Sequence, residues 1–168
     1  WYVQVVLVLS FLWVFAFAGQ ALCASQESQR SVRLLTDQAY LFLEKLYRHF
    51  HSHPELSFHE KETSARLAKE LKKIGFHVTT QVGGYGVVGI FKNGKGPTVM
   101  IRTDMDALPV TEGTGLSYAS RIRTKNERNQ DVGVMHACGH DMHMTVFMGT
   151  AYVLMKMKER WSGTLMMI

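Results

Sequence analysis

An α/β fold is predicted by three features of the sequence. Apolar residues recur at helical spacing in two segments near the start, three short β-branched runs follow them, and the helical period returns after Asp141 ahead of a last apolar run. At 168 residues, with 46% hydrophobic and 20% charged, the chain can build one packed domain or part of a larger one, and it lies outside the disordered and collagen-like classes. Its net charge is +5, but the basic residues are interleaved with acids, as in Glu60-Lys61-Glu62 and Lys69-Glu70. That pattern reads as a solvated surface and gives no reason to expect a nucleic-acid partner.

From Trp1 to Ala24 there is no charged residue, and only Gln4, Ser10, Gly19 and Gln20 interrupt the apolar run. This is a membrane-directed stretch rather than domain core. A secretory signal is favoured over a retained anchor, because the small residues Ala21, Cys23 and Ala24 offer cleavage points before the polar Ser25-Gln26-Glu27-Ser28-Gln29. The chain opens on Trp, and a lost N-terminus accounts for the missing basic residues. The organisation expected is therefore an export segment or anchor over 1–24, a linker over 25–31 and a domain over 32–168. Cys23 and Cys138 are not expected to pair. After export, Cys138 would be a lone thiol in an oxidising compartment, a liability that a bound metal would remove.

Val32 to Phe50 carries Leu35, Ala39, Phe42, Leu43, Leu46 and Phe50 at helical spacing, and Pro54 ends the helix. Ser57-Phe58-His59-Glu60 has the form of a capping box for the next helix, whose inner face is Leu67, Ala68, Leu71 and Ile74, with Gly75 as its left-handed terminator. His77 to Val82, Val87 to Phe91 and Thr98 to Arg102 read as strands, the last two joined as a hairpin through Asn93-Gly94-Lys95-Gly96-Pro97. Ser120 to Asp131 is polar and aperiodic, hence a surface loop. A helix is expected from Asp141 to Lys158 with Val146, Phe147, Thr150, Ala151, Leu154 and Met155 inward, then a strand over Gly163 to Ile168. That strand stops without a turn signal, and the chain is expected to be cut at both termini.

Two patterns invite functional readings that their surroundings reject. Gly84-Tyr85-Gly86-Val87-Val88-Gly89 matches a dinucleotide fingerprint, but a strand rather than a helix follows the glycines. His59-Glu60-Lys61-Glu62-Thr63 lacks the second histidine of a zincin motif. His49, His51 and His53 alternate at a helix end and read as surface or structural residues, with His51 the one to watch.

Two other patterns carry chemistry. Asp104 and Asp106 follow the apolar Val99-Met100-Ile101, and in an extended chain both project to one side, where they could orient a ligand, bind metal or act on a base. A plain strand end with Asp106 starting a turn before Pro109 explains them equally well. Met135-His136-Ala137-Cys138-Gly139-His140-Asp141-Met142-His143 packs a thiol, three imidazoles and a carboxylate into nine residues. Cys138 and His140 suit Zn²⁺ or another transition metal, Gly139 lets both face one point, and Asp141 can cap the following helix and orient His140. The helix N-terminus favours thiolate at Cys138. A Cys–His nucleophile dyad is the competing reading, disfavoured because such close neighbours seldom reach attack geometry.

In order, His51-x-x-Pro54-Glu55-Leu56-Ser57-Phe58-x-Glu60-x-x-Thr63, Asn93-Gly94-x-Gly96-Pro97, Arg102-x-Asp104-Met105-Asp106-Ala107-Leu108-Pro109 and His136-Ala137-Cys138-Gly139-His140-Asp141-x-His143 resemble the metal-dependent amidohydrolases that include hippurate hydrolases, N-acyl-amino-acid deacylases and auxin-conjugate hydrolases. The resemblance covers Val32 to Ile168. It implies the N-terminal part of a zinc-peptidase-like catalytic domain, with a mixed sheet flanked by helices and a lid or dimerisation domain downstream through which a homodimer would form. It implies two divalent ions, Zn or Mn, with Cys138 and His140 as metal ligands and an aspartate beside the metals as catalytic residue, Asp104 first and Asp106 second. The remaining ligands and a glutamate general base would lie beyond Ile168. The activity implied is hydrolysis of small-molecule N-acyl amino acids or related amides by a metal-activated water, with this stretch inactive alone and the membrane touched only through the N-terminal segment. The alternative is a non-catalytic, membrane-tethered module that binds a metal or thiol.

Overall fold

The computed structural model describes the backbone of residues 2–126 and 128–168, and side chains from residue 26 onward with 127 excepted. The chain divides into two compact units, Trp1–Gln38 and Ala39–Ile168. Helix α1 (Tyr2–Ser52) makes up the first and opens the second. Residues 25–31, expected as a linker, are helical; no Gly or Pro interrupts them, and Ser31 Oγ donates to the Glu27 carbonyl at 2.9 Å. The apolar run over 1–24, read as an export segment or anchor, lies outside the residues whose side chains are described. Among the described residues no helix is long and apolar enough to cross a membrane.

In the second unit, α1 stops two residues before Pro54, as its blocked amide requires. Helix α2 (Lys61–Lys73) follows, and its start corrects the expected capping box. No side chain at the N-cap position bonds the first turn; instead the Glu55 carboxylate accepts the amides of Glu62 at 3.1 Å and Thr63 at 2.7 Å. A carboxylate seven and eight residues upstream reaches these amides because the chain folds back between Pro54 and Glu60, and it also faces the positive end of the helix. At the other end Gly75, with φ +102°, lets its own amide and that of Phe76 reach back to Lys72 and Leu71, as the sequence predicts.

Strands β1 (His77–Val82) and β2 (Gly86–Asn93) pair antiparallel through the glycine-rich turn, so Gly84-x-Gly86-x-x-Gly89 serves a strand connection. The hairpin expected between β2 and β3 (Thr98–Ile101) is not formed. The last strand, β6 (Gly163–Met167), inserts between them, antiparallel to β2 and parallel to β3, giving the order β1-β2-β6-β3. Asn93, a turn residue by sequence, donates from Nδ2 to the carbonyls of Lys158 at 2.7 Å and Trp161 at 2.6 Å, fixing the approach to β6. The wholly apolar Leu165-Met166-Met167 thus occupies an interior strand, where such runs belong.

The polar stretch read as a loop contains a small hairpin, β4 (Arg123–Lys125) with β5 (Asp131–Gly133), stapled by Arg123 Nη2 to Asp131 Oδ2 at 2.6 Å. Helix α3 (His140–Lys156) packs on α2, and a short 3₁₀ turn leads to β6. Its inner face is Met144, Phe147, Met148 and Ala151; Val146, expected inward, is 58% exposed, because the true stripe runs one position away from it. These residues join Leu46 and Phe50 of α1, Leu67 and Leu71 of α2, and Leu165 and Met167 of β6 in one core. Each large apolar side chain buried there stabilises by about 1.5–3 kcal/mol.

Gly163 has φ +119°, and a Cβ there would lie 2.3 Å from the Pro97 carbonyl oxygen. Gly163→Ala is expected to cost about 2 kcal/mol or more in urea unfolding. Gly113→Ala, at an open position, should stay within about 0.5 kcal/mol of the parent.

Candidate metal site

Three chain segments meet beyond the ends of β3 and β6, and backbone bonds hold them together. Ala107 N–H donates to the Glu55 carbonyl at 2.8 Å, pairing Leu56 with Ala107. Leu108 and Met135 exchange two hydrogen bonds of 3.0 Å. The His51–Glu60 stretch, the Asp104–Pro109 stretch and the His136–His143 stretch are thereby neighbours although far apart in sequence.

The residues expected to bind metal lie in the last of these. Gly139, at φ +76°, turns the chain into α3, so Cys138 is exposed just ahead of the helix and His140 is its first residue. His140 Nδ1–H points at Asp106, 2.9 Å from its carbonyl oxygen and 3.0 Å from carboxylate Oδ1. That contact puts the proton on Nδ1 and leaves Nε2 with its lone pair, the arrangement that second partners impose on metal-binding histidines. Asp104 is elsewhere: its carboxylate bonds Arg102 Nη2 at 2.6 Å and is about half exposed. Of the two aspartates it is therefore Asp106 whose carboxylate faces His140, set by the backbone bend at Asp106 and Ala107.

Asp141 also departs from expectation. It caps the first turn of α3, with Oδ1 accepting the Met142 amide at 2.9 Å, but it holds His51 rather than His140. His51 is buried with both ring nitrogens on carboxylates, Nδ1 to Asp141 Oδ2 at 2.7 Å and Nε2 to Glu112 Oε1 at 3.0 Å. Carboxylates only accept, so both nitrogens donate and the ring is an imidazolium. Burial opposes this charge, yet the hydrogen bonds and charges of Asp141 and Glu112 outweigh it and raise the His51 pKa. Burial likewise opposes ionisation of Glu112, but bonds from Thr114, His51 and the Ser120 amide hold its pKa below the usual value. Tyr118 meets the His51 ring edge-on at 5.3 Å and Tyr47 lies at 5.6 Å. The sequence draws attention to His51 but not to Glu112, which sits in a polar stretch with no motif signal.

His136 is buried with neither ring nitrogen bonded to a described residue, and burial lowers its pKa, so it is neutral. Among the described residues no group of three His, Cys, Asp or Glu side chains could hold a metal. The donor chemistry nevertheless fits one. An exposed thiol just ahead of a helix and an imidazole whose Nδ1 is turned to an aspartate are donor types suited to a transition metal.

Residues 100–168 match the model of Peptidase family M20/M25/M40. Thermostable carboxypeptidase 1 of Saccharolobus solfataricus is 43% identical over 126 residues, 74% of this chain and 30% of the relative. The N-acetyl-L-cysteine deacetylase of Bacillus subtilis is 34% identical over 151 residues, 89% of this chain and 34% of the relative. The Bacillus subtilis YXEP protein, described as a dinuclear metal-binding peptidase from the M20 family, superposes with a TM-score of 0.66 at 32% identity over 80% of this chain and 34% of that one. The chain belongs to peptidase family M20/M25/M40. The mixed sheet with flanking helices is part of the M20 catalytic-domain fold, as the resemblance implies. This M20 chain spans about a third of the length of the relatives it matches.

The His51 cluster makes stability depend on pH in both directions. The raised His51 pKa contributes stability that is complete below its unfolded value of about 6.5 and lost as pH rises through the folded value. The lowered Glu112 pKa contributes stability that is complete above its unfolded value of about 4.3 and lost as pH falls through the folded value. Denaturant unfolding should therefore show a maximum between about pH 4.3 and 6.5. His51→Ala should lower that maximum by about 3–5 kcal/mol, having left two buried carboxylates unpaired, and should abolish the alkaline fall.

Proposed function

We propose that the whole protein is a metal-dependent hydrolase that cleaves the amide bond of N-acyl amino acids or related small amides. The contact of Asp106 with His140 Nδ1, two residues from the exposed Cys138 thiol, carries this reading. The names of the relatives, a carboxypeptidase and a deacetylase, support the reaction class, and the dinuclear description of the YXEP protein supports a pair of divalent ions, Zn or Mn.

Cys138 Sγ and His140 Nε2 are the atoms of this chain that would hold the metal. When bound, divalent ions supply Lewis-acid polarisation of the scissile carbonyl and lower the pKa of water. The chain's own residues prepare the site. Asp106 fixes the tautomer and rotation of His140, and Asp141, gripped by His51, anchors the turn into α3 beside Cys138. To Asp104, whose carboxylate bonds Arg102, we assign a role on substrate or water. We also propose export, on the uncharged run over 1–24; Edman sequencing of the secreted protein should begin after Ala24, whereas a retained anchor would leave it in the membrane fraction.

The whole gene product, freed of its export segment, is expected to contain about two metals per chain and to hydrolyse N-acyl amino acids. Cys138→Ala should lose metal and activity together. Asp106→Asn should weaken metal binding about 10- to 100-fold, while Asp104→Asn should retain metal. A metal-free wild type that Cys138→Ala does not change would sink the reading. The 168-residue chain alone should be nearly inactive, since two ligands cannot hold a binuclear centre, and robust metal-dependent turnover by it would contradict this.

A further inference from the structure

We propose that His49 and His53 together bind a divalent transition-metal ion, at a site made of neither Cys138 nor His140. The proposal goes beyond the hydrolase reading and does not rest on it. In sequence His49, His51 and His53 alternate, and the end of α1 sorts them. Positions four apart on a helix share a face, and the position between them points away. His51 is accordingly buried against Asp141 and Glu112, while His49 is half-buried and His53 exposed.

Imidazole nitrogens suit Zn²⁺, Cu²⁺ and Ni²⁺, and two histidines four residues apart on one helix can share an ion. With metal–nitrogen bonds of about 2.0–2.1 Å, two imidazoles on one ion at right-angled to tetrahedral geometry have ring centroids about 4.5–5.2 Å apart. The His49 and His53 rings have centroids 4.8 Å apart and planes inclined by 30°. They stand at the separation that a shared ion requires.

The lone pairs are available as well. His53 Nδ1 lies 3.0 Å from the His49 carbonyl oxygen and 2.9 Å from Ser52 Oγ. Ser52 gives its own proton to the Arg48 carbonyl at 2.7 Å, so both neighbours accept from Nδ1–H and Nε2 keeps its lone pair. Neither ring nitrogen of His49 bonds a described residue. His53 is fixed on both sides, by its amide bond to the His49 carbonyl at 3.1 Å and by Pro54, which restricts the residue before it. Little conformational freedom remains to be lost on binding.

Both histidines line a cavity of about 550 Å³, together with Glu55, Glu62, Arg66 and Lys69. Two carboxylates offset two cations there; Glu55 is engaged with the first amides of α2, and Arg66 with Glu70 at 2.8 Å. No third His, Cys, Asp or Glu completes a shell among the described residues, so water fills the remaining positions. An open shell of this kind takes an exchangeable ion, held most tightly when it is Cu²⁺. The pair spans the last turn of α1, and the ion would clamp that turn ahead of Pro54.

The test uses the whole gene product without export segment or tag, loaded with Zn²⁺ and then desalted. Calorimetric titration with Ni²⁺ should find a site in wild type that weakens by about tenfold or more in His53→Gln and in His49→Gln, since each loses the chelate. His77→Gln removes an exposed histidine that does not line the cavity and should bind Ni²⁺ as wild type does. One equivalent of Cu²⁺ should give an electron paramagnetic resonance spectrum with coupling to two nitrogens in wild type and to fewer in His53→Gln. Ni²⁺ should also raise the Tm of wild type more than that of His53→Gln. Because His53 is exposed, its variant tests the site even if His49→Gln loosens the helix. Equal Ni²⁺ affinity in wild type and His53→Gln, or a Cu²⁺ spectrum unchanged by that substitution, overturns the site whether or not the protein hydrolyses amides.

Discussion

The buried imidazolium of His51 is the interaction on which the site depends. It lies between Asp141 and Glu112, residues that come from the start of α3 and from the stretch before β4. Two buried carboxylates converging on one point would repel each other and would each suffer a desolvation cost of several kcal/mol. A single cation that donates to both resolves the conflict, and it does so only where all three elements are correctly placed. Tyr47 and Tyr118 wall the ring off from water, which strengthens the same bonds. Charge, not apolar contact, therefore locks the C-terminal end of α1 to the turn that carries Cys138 and His140.

Backbone pairing supplies the rest of the alignment. The Leu56–Ala107 and Leu108–Met135 bridges run from the end of α1 through the aspartate stretch to the candidate ligand stretch. Rotation of Asp106 toward His140 follows from that stitching, and with it the tautomer that leaves Nε2 free. Glu55, four residues after His51, caps α2 with the same economy: the residue that follows Pro54 ties a helix start while its carbonyl ties Ala107. Positions that read as a string of motif letters are thus joints between elements.

Elements whose identity depends on local period were legible. Helices around Leu46 and Leu67, the strands at His77 and Val87, and the end of α2 at Gly75 all follow from spacing and terminator chemistry. Elements whose identity depends on a distant partner were not. The Asn93–Pro97 turn has every local mark of a hairpin, yet β6 from seventy residues later takes the place beside β2, because its apolar run is satisfied only when covered on both faces. Val146 failed for a similar reason. A helix so rich in Met, Val and Leu has a weak stripe of its own, and packing against α1, where a Cβ on Gly149 would lie 3.1 Å from Leu43, selects the buried side.

By itself the sequence determined the family, the candidate ligands Cys138 and His140, and the pair Asp104 and Asp106, because donor atoms and their short spacings are properties of residues. Only the tertiary structure decided that Asp106 serves His140, that Asp141 serves His51, and that Glu112 belongs to the site at all. Each of those choices is a hydrogen bond between groups 34 to 90 positions apart. Such bonds have no period and no local signature; they exist because the folded backbone brings a donor and an acceptor to one buried point.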